Sequence, residues 1–221
     1  MIPSLSNQDR AEIYRNKNKT LAKLHNVDYK KIGLEDYGKP GNYVARQVSR
    51  WSKQYRASET DDIEAMNNLI EWLPKNIPDD DETSIVHGDY RLDNMILKDN
   101  QVMGILDWEL STLGHPIADF SYHCLSWRTQ EAFWDQSKLK ELGIPNEREY
   151  MDMYCENTGK DLSKNWEFYM AFNMFKIAGI LQGILGRVRD GTAASKHAED
   201  RGMMVYPLSE AAWKTIKENL L

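Results

Sequence analysis

Apolar and polar positions alternate with a helical period through the first third of the chain, lose it in a short middle segment, and regain it to the end. Ser6-Asn7-Gln8-Asp9 has the Ser-x-x-Asp form of a helix start, and Ile13, Tyr14, Leu21, Leu24 and His25 follow as a buried stripe. The polar stretch Asp36 to Asn42, with Pro40 and Gly41, breaks the pattern. Val44, Val48, Trp51 and Tyr55, then Ile63, Met66, Ile70 and Leu73, predict two further amphipathic helices. Beyond the acidic linker Pro78 to Glu82, the β-prone runs Ser84 to His87, Met95 to Lys98 and Val102 to Leu106, with a turn at Asp99-Asn100, predict a small β ribbon. Helices are expected again over about 116–127, 129–141, 147–157, 164–189 and 208–219, punctuated by Gly143-Ile144-Pro145, Thr158-Gly159, the Gly191 region and Pro207. The fold class is α+β and mostly α.

Composition narrows the function classes. The 221 residues are 41% hydrophobic and 28% charged, with a formal net charge of −6. That balance argues against a protein that holds nucleic acid by its overall charge, because phosphate-backbone binding needs a basic surface. The apolar segment Trp166 to Val188 has the length of a membrane span, but Glu167, Asn173, Lys176, Gln182 and Arg187 interrupt it, so it reads as a buried helix, not a membrane contact. Cys124 and Cys155 are the only cysteines and have no metal-knuckle spacing. Free thiols and the absence of a signal pattern place the protein in the cytoplasm by expectation.

The chemistry concentrates in His87-Gly88-Asp89-Tyr90-Arg91-Leu92-Asp93-Asn94 and, after the ribbon, Ile105-Leu106-Asp107-Trp108-Glu109. Phosphoryl transfer needs a carboxylate to orient the acceptor hydroxyl and take its proton, together with oxygen ligands that hold Mg²⁺ against nucleotide phosphates. Asp89 suits the first role, and Asn94 and Asp107 the second. Asn94 follows Asp89 by five residues, the spacing of the Asp-x-x-x-x-Asn catalytic loop, and Asp107 ends an apolar strand where the metal-binding Asp of kinases stands. His87 is expected to orient the loop. Arg91 either neutralises substrate charge or pairs with a carboxylate such as Asp93, and Trp108 and Glu109 are candidates for the acceptor pocket. Asp119, in the first turn of the helix opened by Pro116, suits the helix dipole and a tether to the loop. Arg187, Arg189, Lys196 and Arg201 form a basic group near the end of the long helix.

These residues resemble the aminoglycoside phosphotransferase-like kinases, which share the protein-kinase fold, write the catalytic loop as His-Gly-Asp, and write the metal motif as Asp-Trp or Asp-Phe. The resemblance runs through Leu21 to His25, Arg46 to Trp51, His87 to Asn94 and Leu106 to Pro116, and is nearest to the branch associated with acyl-CoA dehydrogenases. It implies ATP and Mg²⁺ as cofactors and a small-molecule hydroxyl acceptor. Hydroxyacyl-CoA is the acceptor the branch implies, with aminoglycoside, choline-like and sugar-like alcohols left open. The family also has a glycine-rich or equivalent phosphate-covering hairpin and a strand Lys ahead of the first helix seen here. Neither a GxGxxG string nor a Val-Ala-Ile-Lys-like strand occurs, and Gly33 to Pro40 is a poor phosphate loop because Pro40 lacks both the hydroxyl and the N–H. The expectation is a kinase C-terminal lobe over 1–221, with a helical segment over 1–77, a loop and metal motif over 84–127 and a second helical segment over 128–221. Its N-terminal lobe is then missing or separately encoded, and turnover by this chain alone should be poor.

Two other readings stay open. A truncated kinase-like lobe can serve as a binding module without catalysis. A metal-dependent phosphohydrolase can be drawn from His87, Asp89, Asp107, His115, Asp119 and His123, although Pro116 keeps His115 off the helical face of the last two.

Overall fold

A computed structural model of the chain describes residues 4–129 and 138–221. In chain order the elements are α1 (Asn7–His25), α2 (Tyr43–Ala57), α3 (Glu64–Trp72), β1 (Ser84–Val86), β2 (Met95–Lys98), β3 (Gln101–Ile105), β4 (Thr112–Gly114), α4 (Pro116–Cys124), α5 (Ser126–Thr129), α6 (Glu147–Thr158), α7 (Trp166–Arg189), α8 (Ala198–Met203) and α9 (Val205–Asn219). Single 3₁₀ turns occur at Leu73–Lys75, Leu92–Asn94 and Trp108–Leu110. The architecture is α+β and mostly α, as expected. Most of the helix expected over 129–141 lies outside the described residues. The chain forms two compact units: Met1–Gly41 with Glu82–Lys164, and Asn42–Asp81 with Asn165–Leu221.

The first unit carries the strands. Helix α1 starts where the Ser6 hydroxyl accepts the Asp9 N–H at 3.1 Å, satisfying one of the free donors of a helix N-terminus. Helix α6 starts on a reciprocal cap between Asn146 and Glu149 and stops at Gly159, whose φ of 73° suits a residue without Cβ. Between these helices Phe120 of α4 stacks on Tyr154 with centroids 3.9 Å apart, and Trp127 stacks on Tyr150 at 4.8 Å. Such aromatic pairs add about 0.5–1.5 kcal/mol each beyond their buried area.

The strands form two antiparallel ribbons, where the sequence pattern indicated one. In the first, Asp99 and Asn100 take φ of 48° and 60°, the left-handed pair that closes a tight turn between β2 and β3. In the second, β1 pairs with β4 through Ser84↔Gly114, Ile85↔Leu113 and Val86↔Thr112. Two connections therefore join the same two ribbons: 87–94 leaves β1 for β2, and 106–111 leaves β3 for β4. The two motifs singled out by sequence are these connections.

The second unit is built on α7, against which α2, α8 and α9 pack, while α3 packs on α9. Phe168, Phe172, Phe175 and Ala178 of α7 are buried. The Gln182 amide, a polar interruption, donates to Ser58 O at 2.7 Å and Thr60 Oγ1 at 2.9 Å. Helix α7 is long and apolar enough to cross a membrane by composition, and 67% of its most apolar window is buried within the protein. Three details differ from the sequence pattern, the first being the short helix α8, which the pattern did not indicate. Leu69, not Ile70, continues the buried face of α3 after Met66, and α9 starts at Val205 with Pro207 inside its first turn, where no intrahelical N–H is required.

Candidate active site

The site is built on the two connections, held by backbone geometry before any side chain acts. Leu106 N–H donates to Asn94 O at 2.8 Å, extending the β2–β3 ladder past its Met95↔Ile105 pair. Asn94 and Asp107 consequently emerge from the same end of the ribbon. Asp107 has φ 64° and ψ 58°, an uncommon conformation for a side-chain-bearing residue. Left-handed residues of this kind gather at functional turns.

His87 is fully buried and ties the two connections together. Its Nε2–H donates to Leu106 O at 2.9 Å, which makes Nδ1 the acceptor of the Asp89 N–H at 3.2 Å. Gly88 follows with φ 84°, and a Cβ there would stand 2.8 Å from Leu110 O, so the loop needs glycine for both its conformation and its contact with the second connection.

Beneath the loop lies Asp119, buried in the first turn of α4. One carboxylate oxygen accepts His87 N–H at 2.8 Å and the other Gly88 N–H at 2.9 Å. His25 Nε2 reaches the first oxygen at 3.2 Å, and His25 Nδ1 is bonded to the Tyr154 hydroxyl at 2.6 Å. Burial alone would raise the Asp119 pKa, but the His25 imidazole and the two backbone donors outweigh it and leave the carboxyl below its ordinary value.

Asp89 is held from three sides. Asn94 Nδ2 donates to its Oδ2 and to its carbonyl oxygen, both at 3.0 Å, and Arg91 Nε stands 3.3 Å from Oδ2. The Tyr122 hydroxyl also bonds the Asp89 carboxylate. Burial first, and the Asp89 charge second, push the Tyr122 pKa up to about 12, so the phenol keeps its proton. Arg91 is nearer to Asp89 than to Asp93, whose Oδ2 lies 3.9 Å away. Because the Asn94 nitrogen is engaged by Asp89, its amide oxygen is the atom left to ligate a cation. Asp107 is exposed, with no ion pair among the described residues. Amide and carboxylate oxygens are the donor type Mg²⁺ prefers.

The remaining candidates are less engaged. Trp108 is 39% exposed, with its Nε1–H on Ile105 O at 2.9 Å and its ring 5.0 Å from that of His87. Glu109 is exposed in the same turn. The Gly33 to Pro40 string packs beside this turn: the Tyr37 hydroxyl bonds Ser111, and a Cβ on Gly38 would overlap Thr112. In the basic group, Arg189 is paired with Asp61 at 2.6 Å in the second unit.

The hydrolase constellation does not assemble. Among the described residues no group of three or more His, Cys, Asp or Glu side chains is placed to hold a metal. His87 uses both ring nitrogens, on Leu106 O and on the Asp89 N–H, and His123 uses both on Tyr90 O at 2.8 Å and the Tyr150 hydroxyl at 3.0 Å. Sequence reasoning placed His25 only in a buried stripe and missed Tyr122 and Tyr154. Tyr122 was findable, being three residues after Asp119 on one helix, whereas His25 meets Asp119 only through the tertiary fold.

Residues 3–154 match the model of the phosphotransferase enzyme family. Acyl-CoA dehydrogenase family member 10 of Mus musculus is 43% identical over 219 residues, which cover 96% of this chain and 20% of that protein. The chain thus spans about a fifth of that relative's length. A crystal structure from Ralstonia eutropha JMP134, assigned as an aminoglycoside phosphotransferase, superposes with a TM-score of 0.92 at 50% identity, covering 98% of this chain and 68% of that one. Choline kinase of Cryptosporidium parvum shares the fold with a TM-score of 0.66 at 10% identity, covering 97% and 68%.

Proposed function

The chain belongs to the phosphotransferase enzyme family and has its kinase-like fold, and from that premise we propose that it transfers the γ-phosphoryl group of ATP to a hydroxyl of a small molecule. The observation that carries this reading is the convergence of Asp89, Asn94 and the Leu106–Asp107 strand end on one side of the β2–β3 ribbon.

In this reading the acceptor hydroxyl lies against the Asp89 carboxylate, which Asn94, Arg91 and Tyr122 hold in place. The acceptor oxygen bonds to the γ-phosphorus, the bond from that phosphorus to the bridging oxygen breaks with ADP leaving, and the hydroxyl proton passes to Asp89. Asn94 Oδ1 and the Asp107 carboxylate would hold Mg²⁺, which when bound neutralises phosphate charge. His87, Gly88 and Asp119 act earlier, by fixing the backbone on which Asp89 stands. Hydroxyacyl-CoA is the acceptor proposed from the resemblance, the cytoplasm the proposed compartment, and an N-terminal nucleotide-covering lobe the proposed partner in catalysis.

The test is an acceptor screen on a two-lobed form of the protein, following label from [γ-³²P]ATP into alcohols. The expected result is Mg²⁺-dependent transfer at roughly 1–100 per second to a cognate acceptor, and much slower transfer by this chain alone. Phosphate release without ATP from a zinc-containing protein would restore the hydrolase reading. Nucleotide binding with no transfer to any alcohol would make the chain a binding module.

A further inference from the structure

A second feature beside Asp89 is not used by the chemistry above. A cavity of 380 Å³ opens within the first unit, and its lining includes Tyr14 and Lys17 of α1, Arg91 of the catalytic loop, His123 of α4, Trp127 of α5 and Leu139. Lys17 is 4% exposed. Its ammonium nitrogen lies 4.3 Å from the centroid of the Tyr14 ring and 5.7 Å from that of Tyr150, and among the described residues it has neither a hydrogen bond nor an ion pair. The backbone of Lys17 is fixed to the catalytic loop, because the hydroxyl of Tyr90, the residue after Asp89, donates to Lys17 O at 2.8 Å. Arg91 joins the two places: its guanidinium stands 3.3 Å from Asp89 and also lines the cavity.

A buried ammonium without a carboxylate partner among the described residues is costly, and it either gives up its proton or takes an anion from outside. The ring faces around it supply cation–π attraction, which leaves the outward side of the nitrogen for a ligand. The groups facing Lys17 favour that occupant. His123 is held neutral, since burial and the nearby Lys17 both lower its pKa and its ring nitrogens serve Tyr90 and Tyr150. Cys124 is kept a thiol by burial, and Tyr14 and Tyr150 stay phenols for the same reason. Arg91 adds a second positive charge at the rim, where Asp93 is the exposed carboxylate.

We propose that Lys17 is the anchor for an oxyanion carried by the acceptor, so that the substrate is an alcohol bearing a carboxylate or phosphate group, bound with that group in the Lys17 cavity and its hydroxyl at Asp89. This rests on the phosphotransferase reading only for the role of the hydroxyl, and it replaces hydroxyacyl-CoA, whose carboxyl is an uncharged thioester, with an acceptor whose acid group is free; the anion site is a matter of binding. Burial lowers the Lys17 pKa to about 7, so an anion that draws Lys17 to its charged form should bind with proton uptake.

The test is calorimetry on the chain with 4-hydroxybutanoate, glycerol 3-phosphate, butane-1,4-diol and choline as probes, at pH 7 in buffers of different ionisation enthalpy. One or both anionic alcohols should bind with net proton uptake, and the neutral and cationic probes should bind far more weakly. Which anion binds more tightly decides between carboxylate and phosphate. Lys17→Met should weaken anion binding about tenfold to a hundredfold and abolish the proton uptake. Because that variant alters a buried position, Leu139→Phe is the companion: it narrows the cavity from another wall and should also weaken the anion while Lys17 remains. Equal binding of diol and 4-hydroxybutanoate, or unchanged anion affinity in a folded Lys17→Met, overturns the proposal. If transfer from ATP to a neutral alcohol is found to be indifferent to Lys17, the anion site fails and the kinase reading stands. If the anion binds through Lys17 but a two-lobed form never phosphorylates it while phosphorylating another alcohol, the assignment of the anion to the acceptor fails and the kinase reading stands.

Discussion

Replacing Asp89 with alanine is expected to lower turnover of a two-lobed form by about 10²–10⁴-fold with little change in stability. The carboxylate is the one group in the loop placed to take a proton, and its three partners, Asn94, Arg91 and Tyr122, orient that group without substituting for it. Tyr122 keeps its proton and donates, while Arg91 and the Asn94 amide nitrogen have no basic lone pair to offer. The fold depends little on Asp89, because the side chain of its ionic partner Arg91 is 59% exposed and such pairs contribute little. Initial rates and a urea melt on the same sample check both halves. Unchanged turnover would remove Asp89 from the mechanism, and a large loss of stability would mean that it is structural.

Replacing Asp119 with alanine should be the more damaging change to the fold, although Asp119 touches no reacting atom. Its two oxygens satisfy the His87 and Gly88 N–H groups and the His25 imidazole, all within a buried environment. Removing it leaves three polar groups without an acceptor, and losses of this kind cost about 3–5 kcal/mol. Asp119→Asn should cost less, since the amide oxygen still accepts one bond. The pH dependence has a definite sign. The folded-state pKa is lowered, so the stabilisation is fully present above the unfolded value near 3.9 and is lost as pH falls through the lower folded value. Urea melts across acid pH should therefore show a falling limb in the wild type that is flatter in Asp119→Asn. The same limb in both proteins would assign the acid sensitivity elsewhere.

Much of this was legible in the chain, for reasons that differ by element. Helix α1 was visible through its local cap, Ser6 with Asp9, and α6 through the break at Gly143-Ile144-Pro145 ahead of it; its reciprocal cap between Asn146 and Glu149 was found only in the structure. The β2–β3 ribbon was visible because Asp99 and Asn100 tolerate the left-handed turn. The spacing of Asp89, Asn94 and Asp107 was visible because a loop and a strand end are local features. Strand β4 was not: three residues carry no alternation, and its partner β1 lies far back along the chain. The start of α9 was misplaced because Pro207 reads as a boundary, yet it sits in a first turn where its missing N–H costs nothing. Within the site, His25 and Asp119 are 94 residues apart. Lys17 resembles any solvated lysine on a polar helix face until Tyr14, Tyr150 and His123 are seen to enclose it.

In the proposed reaction Asn94 and Asp107 hold the cation of a metal–nucleotide complex beside Asp89. Paramagnetic broadening of backbone amide signals by Mn²⁺·ATP measures this directly, and it works even where affinity is low. The predicted result is selective broadening of the amides at Gly88, Asn94 and Asp107, abolished by Asp107→Asn in a chain that otherwise keeps its spectrum. Broadening confined to other acidic surfaces, or undiminished in Asp107→Asn, would contradict it.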